Sequence, residues 1–461
     1  MIHSTDLADL ERRLSGDVVR PGSAEYEQAR KPRQARFHGV RPQAIVLCST
    51  PGDVAETISW SRRLGVPVTP RSGGHCHAGR STSDGVLIDV TPMQTVAVSD
   101  GVATVGAGAR LGELYDQLHE QHVALPAGCG DTVGIAGLTL GGGIGILGRM
   151  YGLTCDQLLT AQVVLADGRI VDCDNGRHER LFWALRGAGG GQFGIVTRLV
   201  FRVVPAPDAT AFELSWPYRH AEALIEAWQT WAPNAPDEVS ASLRLRTSGT
   251  GSPTVSLFGA IIAGRETTNR MLGQLIAASG AEPSAASMSE SSYRDAKRAL
   301  SGLDGDPTIG PERHELMWSK AEFFRRPLPS SATAALLRTL THAQPPDQSR
   351  ELVFTPMGGA YNRISADATA FVHRHEQFLL DHAATVPGHA PHSSRAAAHE
   401  WTTRSSATTH PWASGAYPNF PNPDLVDWAD AYHGDNYAAL LAIKREYDPD
   451  NVFSFDQSLR S

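Results

Sequence analysis

The chain has 461 residues, with 41 Lys and Arg against 49 Asp and Glu and a formal charge of −8 at neutral pH. That length exceeds one ordinary hydrophobic core, so two domains are expected. The acidic balance, without any Lys/Arg block, argues against nucleic acid and anionic membrane surfaces as partners. The N-terminus carries acidic residues and no apolar signal segment, and no apolar run is long enough to span a bilayer, which predicts a cytoplasmic protein. Five cysteines, at 48, 76, 129, 155 and 173, are odd in number and scattered, as expected of reduced thiols.

Residues 1–40 read as a polar, helical lead-in broken at Pro21-Gly22 and Pro32. Ala44 to Cys48 is a buried-strand run, and Thr50-Pro51-Gly52-Asp53 opens a helix with a capping box and proline at the first helical position. Gly65 closes that helix. Val66 to Thr69 then leads into Pro70-Arg71-Ser72-Gly73-Gly74-His75-Cys76-His77-Ala78-Gly79, and Val86 to Val90 follows as another strand. In such a turn backbone N–H groups converge on an anion without Cβ interference, and Arg71 adds charge at its mouth. By themselves these ten residues read rather as a glycine turn beside a surface histidine. Cys76 between His75 and His77 lacks the spacing of a zinc site, so no metal is expected.

Val96–Val98 and Val102–Val105 pair across Asp100-Gly101, a two-residue hairpin signal. Leu111, Leu114, Tyr115 and Leu118 recur at helical spacing as one core face. Thr132 to Gly145 interleaves glycines with β-branched residues, which suits backbone lying flat against a planar or phosphorylated ligand. Within it, Gly143-Ile144-Gly145-Ile146-Leu147-Gly148 satisfies Gly-x-Gly-x-x-Gly literally, but no strand precedes it inside a βαβ unit, so a dinucleotide-binding Rossmann domain is excluded. A second hairpin is predicted around Asp167-Gly168. A short helix over Leu181–Leu185 ends at Gly187, and a long strand covers Ile195–Val204. Pro205-Ala206-Pro207 is the expected domain boundary.

From Phe212 to about Ala413 strands and helices alternate: a helix over Ala221–Trp231, strands at Ser240–Arg246 and Val255–Ile262, a helix after Gly264. Loops are expected at Gly302–Pro311 and Pro387–Ser394. No segment repeats at a fixed period. Trp216, Trp228, Trp231, Trp318, Trp401 and Phe323-Phe324 supply aromatics for a planar ligand, though most are expected in the core.

Arg71-Ser72-Gly73-Gly74-His75 resembles the flavin-attachment motif of the berberine-bridge-enzyme-like oxidases, within the vanillyl-alcohol-oxidase (PCMH-type) class of FAD proteins. The Thr132–Gly145, Gly187–Thr197 and Tyr417–Gln457 segments fall in that family's order. The resemblance covers Pro21 to Val204 and Ser414 to the end, and is diffuse between. It implies an α+β fold: a discontinuous FAD-binding domain over residues 1–205 and 414–461, and an α/β substrate domain over 206–413, built on an antiparallel sheet with helices on one side.

It also implies FAD joined through the flavin 8α position to His75. Cofactor contacts would come from Arg71, Ser72, Gly73, Gly74 and Gly79, then Thr132, Val133, Gly134, Gly137, Leu138, Gly141, Gly142, Gly143 and Gly145. Further contacts would come from Gly194, Ile195 and Val196, and from Asn419 and Asn451. For Asp448 and Asp450 turn formation is expected. The family's second anchor, a cysteine, falls on Gly130. Cys129 lies one residue earlier, and such a shift turns a side chain to the opposite face, so one covalent bond is predicted. Val133 stands where a valine-sized side chain goes with oxygen access.

In the family a substrate C–H delivers hydride to flavin while a base takes the O–H or N–H proton, and O2 yields hydrogen peroxide. The two usual base positions are here Phe420 and Thr355, neither of which takes up a proton at neutral pH. Replacement candidates, in order, are Tyr417, Tyr151, His77 and Tyr361. Glu351 shares a strand face with Thr355, four residues away. The function expected is oxidation of a secondary-metabolite-type alcohol, phenol or amine by a monomer or homodimer. A redox-neutral cyclase or isomerase, and a substrate-sequestering resistance protein, are the alternatives.

Overall fold

The computed structural model describes residues 2–249, 251–301 and 315–461. The expected loop at Gly302–Pro311 lies outside them. A first, four-stranded sheet has the order Asp17–Val19, Ala44–Leu47, Val86–Asp89, Val68–Arg71, and its last three strands are parallel. Strand Asp17–Val19 falls inside the lead-in read as helical, because it pairs with Ala44–Leu47, a partner outside any local window. The crossover helix Pro51–Leu64 starts on the expected capping box, Thr50 accepting from Asp53 N and Asp53 from Thr50 N, and ends on left-handed Gly65.

An antiparallel five-stranded sheet follows, in the order Val96–Ser99, Val102–Gly106, Ile195–Arg202, Leu158–Val164, Ile170–Cys173. Both expected hairpins lie in it. Leu111, Leu114, Tyr115 and Leu118 of helix Leu111–Glu120 are all buried in the core shared with these two sheets.

The chain changes sheets between Val204–Pro205, which pairs with Val123–Ala124, and Asp208–Pro217. The latter enters an eight-stranded sheet ordered Ala285–Ser292, Asp208–Pro217, Thr254–Ile261, Val239–Ser248, Ser349–Pro356, Phe378–Pro387, Glu315–Phe324, Gly415–Ala416, with every pairing antiparallel. Helices Ala221–Trp231, Arg265–Ser279, Ser330–Thr341 and His392–Ala407 share a second core with one face of it. Trp216, Trp228 and Trp401 are buried there, each indole N–H donating to a backbone carbonyl. One further helix, Tyr293–Ser301, lies on the opposite face, its Tyr293, Ala296 and Leu300 buried in the first core. The expected loop over Pro387–Ser394 is shorter than read: strand runs through Pro387 and helix begins at His392. After the edge strand Gly415–Ala416 the chain returns to the first core through Leu440, Ile443, Phe453 and Leu459.

Candidate functional site

His75 stands in the loop that leaves the carboxyl end of parallel strand Val68–Arg71, the end at which ligands lie in such sheets. The N–H groups of Gly73, Gly74 and His75 meet no protein acceptor among the described residues. Gly74 holds φ +74°, and its carbonyl accepts from Arg33 N at 3.0 Å. Successive free N–H groups in such a turn form an anion nest. Gly73 and Gly74 border a cavity of about 320 Å³ lined also by Arg33, Asp89 and Arg110.

The glycine run of residues 132–145 crosses this loop in direct backbone contact. A Cβ at Gly134 would stand 2.3 Å from Gly73 N and 2.2 Å from Ser72 Oγ, so only glycine fits there. Ser72 itself donates to Ala107 O at 2.7 Å. Thr132 Oγ1 lies 2.9 Å from His75 Nε2. Burial first, then the charges of Arg33, His77 and Arg110, push the His75 imidazole down to about 3, so the ring is neutral at physiological pH. Gly137 is exposed on the short helix Ile135–Leu140, and a Cβ there meets nothing within 4 Å. That open face, the amide nest and the neutral imidazole together fit a large ligand with a diphosphate and a planar ring, as FAD is.

Beyond Gly141 the run is clamped by side chains from distant segments. Tyr417 Oη accepts from Gly143 N at 3.0 Å and from Ile144 N at 3.2 Å. Tyr361 Oη accepts from Gly145 N and donates to Gly145 O. Asn419 Nδ2 donates to Leu138 O at 2.8 Å and to Tyr417 Oη at 3.0 Å. Burial pushes the Tyr417 phenol up to about 12, and Tyr361 higher still. Both tyrosines are therefore protonated clamps on the backbone at neutral pH, and their expected role as proton acceptors is corrected on that ground. Tyr151, on the one-turn helix Gly148–Tyr151, packs half-buried against the first core.

His77 is the remaining candidate base. Its ring lies 4.9 Å from that of Phe420, which is 5.2 Å from Tyr417. Burial and the charge of Arg36 push His77 down to about 4. These rings meet a small apolar cluster of Leu153, Phe323, Met357, Phe371 and Leu379, with Ile144 and Phe420 against it. Phe323 and Leu379 are contributed by the large sheet, from the face opposite its four helices. An apolar wall thus forms where the glycine run, His77-Phe420 and this sheet face converge.

Two further expectations are corrected. The Arg71 guanidinium donates to Ser81 O, Ala29 O and Arg30 O and is buried, 3.9 Å from Asp89. It braces three backbone segments, and its charge is not free at the mouth of the turn. Asn451, at φ +52°, donates to Ser461 Oγ and accepts from Ser461 N, so its amide closes the C-terminus onto the turn. Gly79 sits beneath Phe37, where a Cβ would meet the ring at 2.6 Å, and Gly194 packs on Val163 and Val164. Ile195 and Val196 are buried strand residues. Asp448 does form the expected turn, accepting from Val452 N and Phe453 N. Val133 is half-buried, its carbonyl accepting from Leu111 N. Gly142 turns beneath Phe371.

Sequence reasoning missed three buried ionisable groups near the site. Lys297 reaches from helix Tyr293–Ser301 to the carbonyls of Ala127 and Gly128, and stands 3.8 Å from Cys129 Sγ. Lys444 bonds Asp448, Gln192 O and Phe453 O. Asp381 lies on the face of the large sheet away from its four helices, an acid alternating with Leu379 and Ala383. That alternation was a readable signal.

The berberine and berberine-like family matches residues 416–460, and the FAD binding domain family matches residues 42–174. The FAD-linked oxidoreductase YgaK of Bacillus subtilis (strain 168) is 31% identical over 460 residues, 97% of each chain. Chitooligosaccharide oxidase of Gibberella zeae is 29% identical over 443 residues, 91% of this chain and 87% of its own. The solved glucooligosaccharide oxidase from Acremonium strictum, described with a 6-S-cysteinyl, 8α-N1-histidyl FAD, matches with a TM-score of 0.87 at 25% identity over 99% of each chain. No helix among the described residues is long and apolar enough to cross a membrane. With its glycine cradle, its neutral histidine and relatives spanning nearly its whole length, this chain belongs to the berberine-bridge-enzyme-like family of FAD-linked oxidoreductases.

Proposed function

We propose that this oxidoreductase is an oxidase that carries FAD on a single covalent bond to His75, oxidises a small alcohol, phenol or amine, and passes the electrons to O2. The observation that carries the reading is the neutral His75 imidazole held by Thr132 at the open cradle. With Nε2 engaged at 2.9 Å, Nδ1 is the nitrogen left for the flavin. The bound flavin supplies the hydride acceptor for the reaction. Gly73, Gly74 and His75 N–H groups suit the diphosphate, while Tyr417, Tyr361 and Asn419 keep the glycine run flat beneath the ring. Val133 leaves room for oxygen beside it. The Cys129 thiol lies toward Lys297, which supports one tether. In this reading the substrate lies between Phe420 and His77 on one side and the large sheet on the other.

Acid precipitation of purified protein tests the tether. Yellow pigment that stays with the pellet, an intact mass raised by one FAD, and loss of both in His75→Ala are expected. Peroxide release is then assayed with N,N′-diacetylchitobiose, coniferyl alcohol and tetrahydroisoquinoline. Pigment wholly released by acid removes the covalent reading. A product isomeric with its substrate and no peroxide would favour redox-neutral turnover, and a tightly held ligand without product a sequestering role.

A further inference from the structure

Lys297 leaves the middle of helix Tyr293–Ser301 and ends against the segment that leads into the glycine run. Its Nζ donates to Ala127 O and, at 2.8 Å, to Gly128 O, and stands 3.8 Å from Cys129 Sγ. Tyr115 and Tyr293 flank it, their ring centroids 4.8 and 5.4 Å from the nitrogen. Tyr115 Oη in turn donates to Gly128 O at 2.5 Å. Lys297 is only 1% exposed. These contacts hold its end in place, so amine and sulfur stay neighbours although 168 residues separate them in sequence.

The other thiols are differently placed. Cys48, Cys155 and Cys173 are fully buried, and burial pushes each thiol up. Cys48 and Cys173 donate to backbone carbonyls and Cys155 to Asp156. Among the described residues, Cys129 is the cysteine whose sulfur meets an amine, and it is half-buried. A cavity of about 290 Å³, lined by Tyr115, Asp131, Thr132 and Lys297 among others, opens beside the pair and admits a small oxidant. An ammonium next to a thiol favours thiolate, the form that attacks peroxide. The 3.8 Å gap is too wide for a direct S–N bond and leaves room for one bridging atom.

We propose that Lys297 and Cys129 are a modification site, at which hydrogen peroxide links nitrogen to sulfur through a single oxygen atom. A first peroxide oxidises the Cys129 thiol to sulfenic acid and is reduced to water. The Lys297 ammonium releases a proton to solvent, and a second peroxide takes two electrons from the amine. One N–H bond and the sulfenic O–H bond break, the N–O bond forms, and the peroxide O–O bond breaks to leave two waters. In total one amine, one thiol and two peroxides give one N–O–S bridge and three waters. The bridge pins helix Tyr293–Ser301, which lies on the large sheet, to the entry of the glycine run. Peroxide is the by-product of the oxidase reading, but the chemistry takes it from any source, so added peroxide tests the link independently of that reading.

The test uses flavin-loaded wild type, Cys129→Ser, which changes one atom, and Lys297→Arg, which keeps the charge. Each is reduced with dithiothreitol, desalted, treated with hydrogen peroxide and digested with trypsin without reductant. Wild type should yield residues 111–149 joined to residues 295–298, the fragments bounded by Arg110, Arg149, Arg294 and Arg298. The joined mass should exceed the two fragments by one oxygen less two hydrogens, and dithiothreitol should release both. Neither variant should give the joined peptide. Because a cross-link restricts the unfolded chain, the melting temperature of wild type should rise with peroxide and fall back on reduction, while that of Cys129→Ser keeps still. Oxidation confined to the Cys129 sulfur, an unchanged pair, or a joined peptide that lacks the oxygen or persists in Cys129→Ser overturns the proposal. A melting temperature unmoved by the link overturns the pin.

Discussion

Thr132 Oγ1 lies 2.9 Å from Nε2 of His75, across 57 residues of sequence. The contact orients an imidazole that burial keeps neutral and, in the proposed reading, leaves Nδ1 for the flavin. Thr132→Val keeps the shape and removes the hydroxyl. Losing one hydrogen bond of about 1 kcal/mol should slow covalent flavin incorporation several-fold. Acid-stable flavin per protein, followed in time after mixing apoprotein with FAD, measures it. Incorporation at the wild-type rate would contradict the orienting role.

Tyr417→Phe removes the acceptor for two amides of the glycine run. Stability should fall by about 1–3 kcal/mol as buried donors lose their partner, read from denaturant unfolding. Because the phenol stays protonated up to about 12, the neutral-range pH profile of flavin reduction should keep its shape. A profile that loses a limb in this variant would restore Tyr417 as a base.

Lys444 and Asp448 are both fully buried, 2.6 Å apart, and staple the C-terminal turn to Gln192. Lys444→Met strands a buried carboxylate and should cost about 3–5 kcal/mol. The double variant with Asp448→Asn should recover part of that loss. Thermal or urea melts of the single and double variants decide it, and equal loss in both would exclude a charge effect.

His75, His77, His373, His382 and His433 are all pushed by burial to about 3 or 4. The unfolded chain takes up their protons near 6.5 and the folded chain does not. The stability they contribute is therefore whole above 6.5 and is lost as pH falls toward 3–4, each site adding up to about 1.4 kcal/mol per pH unit. The melting temperature should drop steeply on acidification from pH 7, and a flat profile between 6.5 and 4.5 would refute it.

Local chemistry made much of the fold legible. The Thr50–Asp53 capping box and the Asp100-Gly101 turn are decided within a few residues, and both stand as read. The four-residue core face of helix Leu111–Glu120 follows from periodicity alone. Strand Asp17–Val19 was illegible because its partner Ala44–Leu47 lies in another element. Arg71 misled for the same reason, since two of the carbonyls it braces, Ala29 and Arg30, are about forty residues earlier.

The sequence by itself pointed to the cofactor class through the family resemblance its glycine motifs carry, and an anion nest and a flat glycine run depend on where glycine stands in the chain. It also determined that Phe420 and Thr355 cannot take a proton, which is a property of those side chains. Tertiary structure alone decided what each tyrosine does. Tyr417 meets Gly143 across 274 residues, and burial at that contact holds its phenol protonated. It likewise decided that Asp381 stands on the sheet face away from the four helices, since a strand's register and its neighbours select which layer alternate residues face and in what dielectric.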